Sequence, residues 1–194
     1  MNATAKRWER VRTHTRVCIL EAAAQAFEAS GYDDTCMHRI AELAGYTKAT
    51  VYAHYRDKAR LFAAVMELHA SGLPRVVVAS HPGAGLKEAL AYVAVEIQKL
   101  AQLGACRRFC GTLNRSASGV AFYAELWNAY LAPYRAYIRS ALAREGVDMA
   151  EEHADLYLQL LLQAHSLQVV PLAATSADAT LSLFYRAFPG HSPT

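Results

Sequence analysis

Apolar residues recur at helical spacing along almost the whole chain, and that periodicity restricts the fold more than any other feature. Leu86, Leu90, Val93, Ile97 and Leu100 fall on successive turns of one helix face, as do Val17, Leu20, Ala24 and Phe27 upstream. Alternating strand patterns are scarce. The expected class is therefore all-α, and an apolar content of 54% fits a globular chain rather than a disordered one.

Glycine, proline and capping residues divide this pattern into helices. A first helix is expected over 12–29, ended at Ser30-Gly31-Tyr32 with Gly31 as a left-handed cap. Thr35 is placed to N-cap a second helix to Leu43, Thr47 a third to His54, and Asp57 a fourth to Ser71. His81-Pro82-Gly83-Ala84-Gly85 is the clearest break. Further helices are expected from Leu86, over Cys106–Leu113, over 118–144 with Pro133 inside, over 149–173 and over 176–188.

The uncharged stretch 156–177 contains Gln159, Gln163, His165, Gln168 and Pro171, too many polar groups for a membrane span, and reads as a buried helix. The N-terminus lacks an apolar run of signal-peptide type, so a cytoplasmic protein without membrane association is expected. Four irregularly spaced cysteines do not suggest a disulfide framework. The net charge of +3 resides in the first third, where Lys6, Arg7, Arg10, Arg12 and Arg16 face only Glu9. Such an arm is a footprint of polyanion binding or a solubilising, frayed terminus, and charge alone does not separate the two.

Residues 35–55 read TCMHRIAELAGYTKATVYAHY. Two short helices around a glycine turn, with Ile40, Ala41, Leu43 and Val51 for internal packing, meet the requirements of a helix-turn-helix. The third helix would then present Thr47, Lys48, Thr50, Tyr52 and His54, side chains suited to base edges and phosphates in a major groove.

Residues 16–66 resemble the tetracycline-repressor (TetR) family. The likeness rests on Ala23-x-x-x-Phe27, Gly31-Tyr32, Ile40-Ala41, Ala44-Gly45, Val51-Tyr52-x-His54-Tyr55, and Lys58 followed by Leu61. Tyr46, Tyr55 and Ala59 depart from the usual family residues. The resemblance implies a three-helix DNA-binding domain over 1–56 with a basic arm, then a helical ligand-binding and dimerisation domain over 57–194. It implies phosphate contacts from Thr35, Tyr52 and Lys58, base reading by Lys48 and Thr50, and help from His54 at the backbone. Tyr55 is expected to pack against the first helix. Arg10, Arg12 and Arg16 are candidates for flanking phosphate or minor groove.

The same resemblance implies a homodimer on a duplex operator and a small-molecule inducer. The residues offer separate reasons for both. Leucines and valines from Leu156 to Val170, including Leu160 and Leu167, surround their helix, and a helix apolar all round requires cover on every side. With Leu181, Phe184 and Phe188 these residues would form a four-helix interface between two chains, or else an internal core. Tyr123, Trp127, Tyr130, Tyr134 and Tyr137 share one face of the 118–144 helix. They line a cavity with Met66, Ile97, Phe109, His165 and Gln168, or they form an aromatic core with hydroxyls reaching the surface. A cavity of that kind suits a flat, mostly apolar or aromatic ligand. The resemblance further implies that ligand binding shifts the fourth helix through Phe62 and Met66 and lowers operator affinity.

Other functions find less support. Cys106 and Cys110, beside Arg107 and Arg108, allow a redox-responsive regulator, but no metal-ligand spacing accompanies them. Nucleophile motifs, phosphate-binding glycine loops and His-Glu-x-x-His are absent, so neither catalytic residues nor a cofactor are expected.

Overall fold

The computed structural model describes residues 3–78, 85–118 and 120–169. Among them are eight helices and no strand: α1 (Ala3–Asp34), α2 (Met37–Ala44), α3 (Lys48–Tyr55), α4 (Lys58–Ser71), α5 (Leu86–Gln102), α6 (Gly104–Asn114), α7 (Ala121–Arg144) and α8 (Ala150–Ala164). None of the described helices is long and apolar enough to cross a membrane. The chain is all-α.

It divides into two compact units, the first formed by residues 1–73 and 108–123, the second by 74–107 and 124–194. In the first unit α4 packs on α1. Phe62 of α4 sits edge-on to Phe27 with ring centroids 5.1 Å apart, and to Tyr32 at 5.0 Å. Tyr123 adds a further edge contact to Phe62 at 5.7 Å. Around these rings Ile19, Ala23, Ile40, Val51, Leu61 and Val65 are buried. Tyr55 is buried as well, as expected, and its hydroxyl donates to the Arg16 carbonyl at 3.4 Å.

Two expectations at the end of α1 are corrected. Gly31 does not cap a helix in the ordinary left-handed well; with φ 73° and ψ −178° it adopts a conformation essentially reserved for glycine. Thr35 does not cap α2, where Cys36 occupies the N-cap position without a side-chain bond. Thr35 is buried instead, and its hydroxyl is bonded to the carbonyls of Gly31 at 2.7 Å and Ala26 at 3.2 Å. The chain after Gly31 clamps the 115–118 turn: Ser116 Oγ accepts from the Tyr32 amide at 2.9 Å, and Asp33 Oδ2 accepts from the amides of Ala117 at 2.6 Å and Ser118 at 3.0 Å. Hydrogen bonding from Ser118 and then Ala117 holds the Asp33 carboxyl below its usual range.

In the second unit, Ala89, Val93, Ile97 and Leu100 of α5 are buried, as are Trp127, Leu131, Tyr134 and Ile138 of α7 and Leu156, Leu158 and Leu162 of α8. The Tyr157 hydroxyl ties α8 to α5 by donating to the Leu90 carbonyl at 2.9 Å. Arg135 bonds Asp155, and Arg139 bonds Glu151 at 2.9 Å, between α7 and α8. α7 continues through Pro133.

The expected 149–173 helix ends early, at Ala164. Ser166 enters the left-handed region with φ 57°, and the amides of Leu167 and Ser166 return to the carbonyls of Leu162 and Gln163. This pair of bonds closes a Schellman motif and satisfies the last carbonyls. α1, in turn, begins nine residues before the expected Arg12, at Ala3, so the basic arm is helical. The 176–188 helix, and with it Leu181, Phe184 and Phe188, lies outside the described residues.

Candidate nucleic-acid interface

The helix-turn-helix forms from local chemistry. Gly45 takes φ 71° and ψ 25°, and the amides of Gly45 and Tyr46 bond back to the carbonyls of Glu42 and Ala41 at 3.1 and 3.0 Å. That Schellman turn reverses the chain within two residues. Thr47 then N-caps α3, its hydroxyl accepting from the Thr50 amide at 3.2 Å and sharing a 2.8 Å bond with the Thr50 hydroxyl. Asp57 caps α4 in the same way, accepting from the Arg60 amide at 2.8 Å. Ile40, Ala41 and Val51, all buried, hold α2 and α3 together.

This leaves one face of α3 free for a partner. Thr47, Lys48, Ala49, Tyr52 and Ala53 are exposed, and Thr50 and His54 half-buried. The Lys48 ammonium lies 6.0 Å from the Tyr52 ring centroid, so a cation and an aromatic hydroxyl share the exposed surface. At its far end α3 meets α1, where the Arg16 guanidinium stands 5.1 Å above the Tyr55 ring. Burial, and then the charges of Arg12 and Arg16, hold the His54 imidazole below its ordinary range, so it is neutral at pH 7.

Thr35 and Lys58 sit differently from the rest of the expected DNA-binding set. The hydroxyl of Thr35 is turned inward and bonded to the carbonyls of Gly31 and Ala26. The Lys58 ammonium donates to the Tyr32 carbonyl at 2.8 Å and the Asp33 carbonyl at 3.3 Å, and lies 4.3 Å over the Tyr32 ring. It serves the C-terminal end of α1, where a cation complements the helix dipole. What sequence reasoning missed at the start of α1 is its helical state: the basic arm with Lys6 and Arg7 is wound into exposed opening turns that also carry Trp8, and no apolar periodicity marks them as helix.

The expected ligand-lining residues are divided between the units. Met66, Phe109 and Tyr123 belong to the first, and Ile97, Trp127, Tyr130, Tyr134, His165 and Gln168 to the second. Within the second unit a cavity of about 350 Å³ opens between α7 and α8. Trp127, Leu131, Leu158 and Leu162 supply its apolar wall, and the Arg135–Asp155 ion pair its polar one. Trp127 is the one residue of the expected set on its lining. On the neighbouring surface of α7, Tyr130 donates to the Pro74 carbonyl at 2.9 Å and stacks on Trp127. Burial pushes the Tyr134 phenol up to about 12 and raises that of Tyr130 further. Leu160 of α8 is 50% exposed, whereas Leu167 is fully buried. Cys106 and Cys110 are buried and not joined in a disulfide. Among the described residues no cluster of His, Cys, Asp or Glu could hold a metal ion.

Residues 19–65 match the family model described as bacterial regulatory proteins, tetR family. The chain is similar to the HTH-type transcriptional regulator AcrR of Shigella flexneri, 33% identical over 69 residues that span 36% of this chain and 32% of the relative. It is also similar to the HTH-type transcriptional regulator TtgR of Pseudomonas putida, 43% identical over 53 residues, 27% of this chain and 25% of TtgR. The matched part thus spans a third or less of these relatives. Among solved structures, the fold is similar to that of NalD, the secondary repressor of the MexAB-OprM multidrug efflux pump in Pseudomonas aeruginosa. That likeness has a TM-score of 0.54 at 24% identity and covers 89% of this chain and 93% of NalD.

Proposed function

We propose that the chain is a sequence-specific, non-enzymatic transcriptional regulator whose residues 19–65, the part that matches the family model of tetR-family bacterial regulatory proteins, form its DNA-binding domain. The observation that carries this reading is the exposed face of α3, fixed between two capped turns and presenting Lys48 and Tyr52 with Thr47, Thr50 and His54 beside them. Lys48 and Thr50 read base edges, Lys48 through guanine O6/N7 and Thr50 through a thymine methyl. Tyr52, Thr47 and the neutral His54 position the helix on the backbone. The protein acts as a repressor, a reading supported by its 32% identity over 65 residues, 34% of this chain, to the HTH-type transcriptional repressor AcnR of Corynebacterium glutamicum.

Two copies bind a palindromic operator, because one short helix reads only a half-site. The half-exposed Leu160 on α8 supports a partner-facing surface, to which Leu181, Phe184 and Phe188 contribute. A small apolar or aromatic ligand binds the helical body over 57–194. The α7–α8 cavity with Trp127 on its wall supports that part. The ligand favours a conformation in which the two recognition helices are wrongly separated for the operator, and its effect is limited by its differential affinity for the two states.

The test is fluorescence anisotropy of labelled duplex against purified protein across a salt series, with light scattering for mass. A dimer whose affinity falls steeply with salt, and whose preference among duplexes disappears in Lys48→Ala, is expected. A monomer, or a Lys48→Ala variant with unchanged preference, would contradict the reading.

A further inference from the structure

Charged rungs join α7 to α8. Arg139 bonds Glu151 at 2.9 Å, and Arg135, a turn earlier on α7, bonds Asp155, a turn later on α8. The helices therefore run in opposite directions along this seam. The next turns on the same faces carry Leu131 and Trp127 on α7, and Leu158 and Leu162 on α8. All of these residues except Arg139 line the cavity of about 350 Å³, which is thus ionic at one end and apolar at the other.

Glu151 and Asp155 each already hold an arginine. Arg135 meets Asp155 through Nε alone, and its terminal nitrogens Nη1 and Nη2 make no hydrogen bond among the described residues. A guanidinium placed only to tie two helices would turn its fork to both oxygens of the carboxylate. This one is 28% exposed and keeps most of its N–H donors unclaimed at the ionic end of the cavity. A cation seated there would lie against the guanidinium, whereas a carboxylate matches the fork with a pair of parallel bonds. We infer that the α7–α8 cavity takes a hydrophobic monocarboxylate, whose carboxylate bonds the terminal nitrogens of Arg135 and whose aryl or alkyl body lies against Trp127, Leu131, Leu158 and Leu162.

The assignment rests on the proposed binding of a small ligand by the helical body, and gives that ligand a charge. The cavity's volume of about 350 Å³ limits its size. An apolar cavity of roughly 150 Å³ takes one benzene, so this one suits a body of about two rings or the equivalent alkyl chain. The apolar wall holds aryl and alkyl bodies alike. Discrimination comes from Arg135, because a hydrogen bond to a charged group is stronger than one between neutral groups.

The experiment is calorimetric titration of the full chain, without DNA, with naphthoate, decanoate, naphthamide and naphthylmethylammonium. Naphthoate is expected to bind at least about tenfold more tightly than naphthamide, which keeps the rings and loses the charge, and the ammonium more weakly still. Tighter binding of either naphthoate or decanoate supports the class and tells an aryl body from an alkyl one. Arg135→Gln/Asp155→Asn removes both charges together, leaves neither buried alone, and should abolish the preference for the carboxylate. Asp155→Asn alone keeps the fork, removes the neighbouring acid, and should bind naphthoate several-fold more tightly than wild type. Binding of naphthamide or the ammonium as tight as that of naphthoate would overturn the carboxylate assignment. So would no binding of either carboxylate, or a preference that survives in the double variant. Operator affinity, measured with each compound, separates this assignment from the reading beneath it. Naphthoate bound through Arg135 without effect on operator affinity would keep the cavity's ligand class and sink the inducer. Operator release by the amide or the ammonium, with naphthoate inert, would keep the inducer and sink the carboxylate.

Discussion

Gly31 and Arg115 meet backbone to backbone: a Cβ built on Gly31 would lie 1.9 Å from the Arg115 carbonyl oxygen. Neither partner is a flexible side-chain end, so nothing can yield without moving the 115–118 turn from its bonds to Tyr32 and Asp33.

Gly31→Ala is therefore expected to be far more damaging than Gly45→Ala. Both positions have positive φ, but a Cβ at Gly45 meets nothing within 4 Å. Gly45→Ala should cost about 1–2 kcal/mol from backbone strain alone. Gly31→Ala adds a steric clash to a backbone cost of about 1–3 kcal/mol. Urea unfolding of the two variants checks the ranking, and equal losses would refute it.

Thr35→Val tests the inward hydroxyl. It keeps the shape and leaves the carbonyls of Gly31 and Ala26 without that donor, so a stability loss of about 1 kcal/mol is expected. The salt slope of DNA binding should not change. A slope smaller by one unit would return Thr35 to the phosphate contacts.

The same pair of measurements separates two roles for Lys58. Lys58→Met keeps the stem but removes the ammonium from the Tyr32 and Asp33 carbonyls and from the Tyr32 ring. The expected loss is about 1–2 kcal/mol of stability with an unchanged salt slope. Unchanged stability with a reduced slope would make Lys58 a phosphate contact instead.

His69 makes stability depend on pH. It is buried in the last turn of α4, its Nε2 has no hydrogen-bond partner among the described residues, and burial with the charge of Arg108 lowers its pKa to about 4. The unfolded chain takes up this proton near pH 6.5, before the folded one does. Stability linked to His69 is thus complete above pH 6.5 and is lost as pH falls from 6.5 toward 4. In His69→Leu that part of the slope should vanish. Identical pH profiles of unfolding for the two proteins would contradict it.

What was legible in the sequence is what local chemistry decides. Gly45 and Thr47 specify the turn and cap of the helix-turn-helix within a few residues, so α2 and α3 stood out. Gly31 also stood out as a break, but its cause is tertiary, since Arg115 is far away in the chain. The hydroxyl of Thr35 could have capped α2, but it bonds back into α1 instead, to the Gly31 carbonyl four residues earlier and to that of Ala26. The end of α8 carries neither glycine nor proline. Ser166 takes the left-handed position inside an apolar run that reads as continuous helix. The first turns of α1 read as a basic arm but not as helix, because charged residues around Trp8 carry no buried stripe to reveal one. Ring spacing along α7 marks Trp127, but the cavity in the second unit is walled by α8 as well, through Asp155, Leu158 and Leu162, and a helix–helix gap of that kind leaves no trace in spacing.

That α3 reads a DNA sequence is tested by selection of binding sites from genomic fragments, repeated with Lys48→Ala/Thr50→Ala. Enrichment of one palindrome by wild type, abolished in the double variant while duplex is still held at low salt, is the predicted result. No enrichment, or enrichment that survives in the double variant, would contradict it.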